Sequence, residues 1–182
     1  MSEVVVRPVG PSLARNLAGL FPEHPLTKDP PHVAVTLALQ TKHRQSAISD
    51  DMLKEREECF AKLVERMEAF GKRMAEAGRW CDFIEPSSRQ PVKSSTSTTF
   101  TEADDDYQKL GFQIMELGCC RVVASKKFGQ CVVLTTAFVQ ASKEDIEAEL
   151  GVLQEGLPNE FGSAAEQANT PVADTPEDPA AS

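Results

Sequence analysis

The sequence predicts an α+β domain: a small mixed sheet of about four strands packed with one long helix, followed by a disordered acidic C-terminal tail. Val33, Val35, Leu37 and Leu39 alternate with smaller residues, the period-two pattern of a strand with one strongly apolar face. From about Met52 to Ala77 the apolar residues Phe60, Leu63, Val64, Met67, Phe70 and Met74 recur at spacings of three and four, the stripe of an amphipathic helix. The chain of 182 residues is 41% hydrophobic, which suits one domain with a sizeable core, whereas residues 151–182 are Pro-, Ala- and acid-rich.

The elements follow in order. Residues 1–11 carry two prolines and are expected to be a flexible N-terminus; Arg7 and Arg15 with Glu3 make a poor mitochondrial presequence. Ser12 is positioned to cap a short helix through Leu13, Leu17 and Leu20, which Pro22 and Pro25 end. The strand at 33–40 and a polar loop at 41–50 come next. Asp50 or Asp51 then caps the long helix, whose Met and Phe stripe reads as core rather than as a cofactor box. Gly71 inside that helix costs about 1 kcal/mol relative to Ala, and Gly78 stops it.

Trp80 to Glu85 reads as a second strand, with Asp82 at an exposed edge position. Pro86-Ser87-Ser88 is a turn, and residues 87–99 form an irregular Ser/Thr-rich loop. Thr101 with Asp104 resembles a capping box opening a short helix that ends at Leu110-Gly111. A strand starting at the cysteines 119 and 120 and the apolar run Cys131 to Val139 then form a hairpin about Ser125–Gly129. Ser142 with Asp145 caps a last helix to Leu150, which Gly151 stops. The expected division is therefore 1–11 flexible, 12–150 domain, and 151–182 tail.

Charge and cysteine usage narrow the function. The net charge is −9, and residues 151–182 hold six acids and no Lys or Arg, leaving only −3 for the rest. No basic face is evident, so nucleic acid is not the expected partner. Five cysteines, no CxxC and no zinc-like Cys/His spacing argue against a disulfide framework or a zinc site and fit a reducing compartment. No apolar stretch approaches the ~20 residues that span a bilayer. GxGxxG, P-loop and GxSxG motifs are absent from the sequence. His24, His32 and His43 read as surface histidines, and Asp104, Asp105 and Asp106 suit a helix N-terminus better than a metal.

What remains is Leu117-Gly118-Cys119-Cys120-Arg121. On a strand Cys120, Val122 and Ala124 share an apolar face, and Cys119 shares the other with Arg121. Cys120 reads as core and Cys119 as the outward thiol, which Arg121 biases toward thiolate. A thiolate suits a soft or borderline metal centre or redox exchange. The alternative for both cysteines is that of small core hydrophobes in a reduced protein. A redox disulfide between the two neighbours would strain the backbone.

The stretch Trp80-Cys81-Asp82-Phe83-Ile84-Glu85-Pro86-Ser87-Ser88, then Tyr107, Leu110-Gly111-Phe112 and Leu117-Gly118-Cys119-Cys120, resembles the methylmalonic aciduria and homocystinuria type D protein (cblD) family. Leu20-Phe21-Pro22-Glu23 and Gln40-Thr41-Lys42 fit the same order, so the resemblance runs over about residues 12–150. It implies a nitroreductase-like (flavin-reductase-like) scaffold without flavin, an adaptor rather than an enzyme. It further implies docking on a cblC-type cobalamin-processing protein and routing of cobalamin (vitamin B12) to methionine synthase and methylmalonyl-CoA mutase. Cys119, the first cysteine of LGCC, is then the thiolate ligand to cobalt of partner-bound cobalamin, with no cofactor held by the chain alone. The family's Gly- and aromatic-containing segment after Pro-Ser-Ser is replaced here by Arg89 to Thr96, and its long targeting region is expected to be missing. A cytoplasmic place is therefore expected, with a mitochondrial one implied by the resemblance alone. The competing reading is a flavin-dependent reductase on the same scaffold, for which only Arg121, Lys126 and Lys127 offer phosphate-binding charge.

Overall fold

In the computed structural model, residues 1–27, 29–46, 48–101, 106–118 and 121–153 are described. Strands β1 (Ser2–Pro8), β2 (His32–Gln40), β3 (Cys81–Phe83) and β6 (Val132–Gln140) form one sheet in the order β1-β2-β6-β3. Every pairing in it is antiparallel, so the sheet is not mixed as expected. Strands β4 (Gln113–Glu116) and β5 (Arg121–Ala124) form a separate antiparallel ribbon. The expected hairpin of the cysteine strand with the 131–139 run does not form. β5 takes β4 as its partner, while β6 pairs with β2 along its whole length and with β3 at Ala137–Val139.

The residues expected to be a flexible N-terminus supply β1. Val4, Val5 and Val6 pair across Leu37, Thr36 and Val35, giving an edge strand that the proline-based reading overlooked. The proline ends the strand at Pro8 instead of preventing it.

Helix α2 (Asp50–Glu76) is the long helix. Ser49, not an aspartate, is its N-cap: the Ser49 hydroxyl accepts from the Met52 amide at 3.2 Å, while Asp50 and Asp51 sit in the first turn and complement the dipole. Leu63, Met67, Phe70 and Met74 are fully buried against Val33, Val35, Leu37 and Leu39 of β2 and Val133, Ala137 and Val139 of β6. The opposite face of the sheet, carrying Ala34, Ala38 and Phe138, is covered by Leu13 of α1 (Pro11–Asn16) and by Leu17 and Phe21 beyond it. Helix α1 starts from Gly10 without a side-chain cap, so Ser12 does not play that role. Because both faces are covered, β2 and β6 are buried at every position but the last. The pair Thr36–Thr136, hydroxyls 2.8 Å apart, is satisfied internally between the two central strands.

Helix α3 (Asp106–Lys109) precedes the ribbon; the expected capping residue Asp104 lies outside the described residues. Helix α4 (Lys143–Ile146) has the predicted capping box of Ser142 and Asp145. A 3-10 turn over Glu147–Leu153 then continues through Gly151. Leu153 is fully buried against the α2 side of the sheet, and the Val152 carbonyl accepts from Arg66 at 3.3 Å, so packed chain extends past the expected end at 150.

Candidate functional site

Gly111, at φ 98°, turns the chain from α3 toward β4; a Cβ there would lie 3.2 Å from Nε of Arg7. The ribbon then runs out and back, and Glu116↔Arg121 is its last register pair. Gly118 lies between these two residues with φ 70°. Cys119 and Cys120 fall in the same connection and outside the described residues, and so does their expected division into outward and core thiol. Arg121 beside them is exposed and Ala124 is buried, but Val123, on Arg121's strand face, packs onto the core cluster of α1.

The other thiols are poor thiolates. Cys59 and Cys81 are buried and Cys131 is half-buried, all three unpaired. Burial pushes the Cys81 thiol up to about 12, and Cys59 and Cys131 are raised for the same reason.

Alongside strand β5 of the ribbon is a cleft of about 370 Å³. Arg56 of α2, Arg89 from the loop after β3 and Arg121 of β5 line it, with Gln45, Ser46 and Gln130 as the polar wall. The wall is tied together. Arg56 donates from Nε to Oε1 of Gln45 and from Nη2 to its carbonyl, both at 2.9 Å. Ser46 donates to Oε1 of Gln130 at 3.1 Å, and the Gln45 amide donates to the Gln130 carbonyl at 3.1 Å. Phe60 and the valines of β5 and β6 make up the apolar side.

Two expectations are corrected by burial. Asp82 is not an exposed edge residue: it is fully buried, because β3 is covered by the segment that follows it. Its Oδ1 accepts from the amides of Phe83 at 2.9 Å and Lys93 at 3.0 Å, and its Oδ2 from Ser94 at 2.8 Å. Asp82 is thus the clamp that folds the loop after Pro86 back onto the sheet edge. The Lys93 ammonium completes the clamp on the Cys81 carbonyl at 2.8 Å.

His32 is likewise buried, and His24 is half-buried, stacked on Trp80 with ring centroids 3.9 Å apart. Their Nε2 atoms are 3.0 Å apart, and His32 Nδ1 lies 3.0 Å from the Thr27 carbonyl. A carbonyl only accepts, so His32 carries its proton on Nδ1 and His24 donates to the free Nε2 of His32. Burial lowers the His24 pKa, and the neighbouring His32 lowers it further. Only His43 is on the surface, where its Nδ1 donates to Glu55 at 2.8 Å. No group of three or more His, Cys, Asp or Glu able to hold a metal occurs among the described residues.

The profile of the family described as methylmalonic aciduria and homocystinuria type D protein matches residues 3–149. The chain belongs to this family. It is 31% identical over 133 residues to the cobalamin trafficking protein CblD of Rattus norvegicus, and 30% identical over the same length to that of Homo sapiens. The Gallus gallus protein of that name is 28% identical over 134 residues. In each case 72% of this chain is covered but only 44% of the relative, so the chain spans under half the length of these proteins. The matched region includes the ribbon and both cysteines of the connection. It also includes β1, which the resemblance read from motifs, beginning at about residue 12, had left out.

The cleft and the Asp82 clamp were not found from sequence. The arginines of the cleft are 33 and 32 positions apart, with no shared spacing to mark them. The available signal for Asp82 was an acid in an apolar strand just before a turn, which suits a buried carboxylate answering loop amides as well as it suits an edge.

Proposed function

We propose that the chain is a cobalamin-handling adaptor without turnover of its own, which docks on a cblC-type cobalamin-processing protein and offers the Cys119 thiolate to cobalt. The observation that carries this is the family match, which runs through the cysteine connection and whose relatives are named cobalamin trafficking proteins. The local chemistry supports it. The thiols at 59, 81 and 131 are held protonated by burial, whereas Cys119 is two residues from exposed Arg121 at the end of a ribbon. Cobalamin is cargo here: the corrin fills the equatorial positions of cobalt, so one thiolate suffices and no protein cage is needed. Delivery onward to methionine synthase and methylmalonyl-CoA mutase, in cytosol and mitochondrion, follows from the same reading.

The test is a visible spectrum of this chain mixed with a cobalamin-loaded cblC-type protein, beside a Cys119→Ser control. The expected result is the band change of a cobalt–sulfur bond, absent from the variant. An unchanged spectrum in a mixture shown by sedimentation to contain the complex would refute the ligand assignment.

A further inference from the structure

Strand β1 has a neighbour on one edge only, β2. The bonds at its two ends fix how the strands are joined: Val9 donates to the His32 carbonyl and Gln40 to the Met1 carbonyl, both at 2.9 Å. Hydrogen-bonded positions alternate along an antiparallel pair. Glu3, Val5 and Arg7 therefore turn their backbone groups to β2, and Ser2, Val4, Val6 and Pro8 turn theirs away from the sheet. Among the described residues, the one hydrogen bond to these outward groups is from the Lys127 ammonium to the Ser2 carbonyl, at 3.5 Å. A row of outward groups in a run of three valines is a template for another strand. Edges are commonly blunted by charge that repels a like strand, or by Pro. Here Pro8 stands at the end of the strand, and the two charges have opposite sign. Glu3 and Arg7 are two positions to either side of Val5 and share its face.

We propose that this edge docks a second copy of the chain, β1 pairing antiparallel with β1 about a two-fold axis beside Val5. The symmetry of the charges about Val5 names the occupant. In that register Val5 faces Val5 of the second copy, and Glu3 faces Arg7 at both ends. A shift of two residues in either direction loses both ion pairs, and a shift of one turns the valines to the wrong faces. Val4 and Val6 exchange both backbone bonds with Val6 and Val4 of the second copy. The Ser2 amide meets the Pro8 carbonyl, and Pro8 has no N–H to return. The Ser2 carbonyl left over is the one that Lys127 already serves. Glu3 commits only Oε2 to Ser125, at 2.7 Å, and Arg7 is exposed. The axis of such a pair is normal to the sheet, so each face continues into its counterpart. Both α2 helices then lie on the face of Val4 and Val6, and both ribbons on the face where Ser125 meets Glu3. One strand pair is a small interface, so the association is weak and depends on concentration.

Two measurements on the full chain test this. The first is sedimentation velocity from about 1 to 500 µM, the range of a weak complex. A shift from monomer toward dimer is expected. Glu3→Arg and Arg7→Glu each set like charges opposite one another at both ends and should weaken the dimer about tenfold, and the double reversal should restore it. A monomer at every concentration, a dimer indifferent to the single reversals, or a double reversal that fails to restore it would overturn the proposal. The second needs no variant: amide exchange of the wild-type chain, dilute and concentrated. The outward amides of Val4 and Val6 should gain protection with concentration, while that of Val5, bonded to β2, stays unchanged. A dimer in which Val4 and Val6 exchange at the dilute rate would place the contact elsewhere and overturn this edge. Protection of the same amides in a monomer, gained only on mixing with a cblC-type protein, would assign the edge to that partner and overturn self-pairing.

Discussion

Replacing Asp82 by Ala removes one side chain and strands three amide donors. The Phe83 amide is the most enclosed, since Phe83 is 3% exposed; left unpaired it costs about 1–3 kcal/mol. The Lys93 and Ser94 amides belong to more accessible residues, where entering water recovers part of the loss, so about 1 kcal/mol each is appropriate. The sum is about 3–5 kcal/mol, a large share of the 5–15 kcal/mol that ordinarily separates folded from unfolded chains. For a chain of this size it corresponds to a fall in Tm on the order of 10 °C. Asp82→Asn keeps one accepting oxygen but turns an NH2 toward a backbone donor, so about 1–3 kcal/mol is expected. Guanidinium denaturation followed by circular dichroism gives both values, and amide exchange at Lys93 and Ser94 shows whether the loop is released. If Asp82→Ala lies within 0.5 kcal/mol of wild type and those amides exchange at the original rate, the clamp assigned to this carboxylate is wrong.

Two further predictions concern pH. Trp80 is the sole tryptophan and is stacked on His24, so acidification should quench its fluorescence with a midpoint below the ordinary histidine value, and His24→Gln should abolish that transition. The unfolded chain binds the proton more readily than the folded one, so this site lowers stability as pH falls through about 6.5, and the loss stops below the folded pKa. Glu55 acts at lower pH. Burial opposes its ionisation, but hydrogen bonds from the Lys42 and His43 amides and the His43 ring outweigh that and hold its pKa below the usual value. Its contribution is therefore present above the unfolded glutamate pKa and is lost as pH falls through the folded one. Glu55→Gln should cost about 1–2 kcal/mol near neutral pH, a difference that shrinks as pH falls through the folded glutamate pKa, as read from urea midpoints across that range.

Local patterns marked the elements that bury one regular stripe. The alternation at 33–39 and the Phe60-to-Met74 stripe describe β2 and α2 because each residue's environment repeats with the period of its own backbone. Ser142 and Asp145 were legible as a cap because both halves of that interaction are local. Pairing was not legible. β5 joins β4 and not β6, whose own partners, β2 along its whole length and β3 at Ala137–Val139, lie about 100 and 50 positions away in the chain. Four residues, Gln113–Glu116, were too few and too polar to register as a strand, and β1 was hidden by its flanking prolines. Among site residues, Cys119 stood out because it adjoins a second cysteine and a glycine. Arg121 stood out through the same motif, whereas Arg56 and Arg89 of the cleft did not, since each alone reads as a solvated surface charge.

The β4–β5 ribbon is joined to the four-stranded sheet by no backbone hydrogen bond among the described residues; what reaches across is side chains, such as Ser125 to Glu3 at 2.7 Å and Gln130 to Met115 at 3.6 Å. The ribbon is therefore held by side-chain packing, with Phe112 in the core and Ile114 and Val123 packed against it, and changes at those positions register in melting. Changes at exposed Glu116 or Arg121, next to the cysteine connection, would pass a thermal screen looking like wild type. Sorting harmless from damaging changes there calls for a readout at the cysteines themselves, such as the rate of thiol labelling.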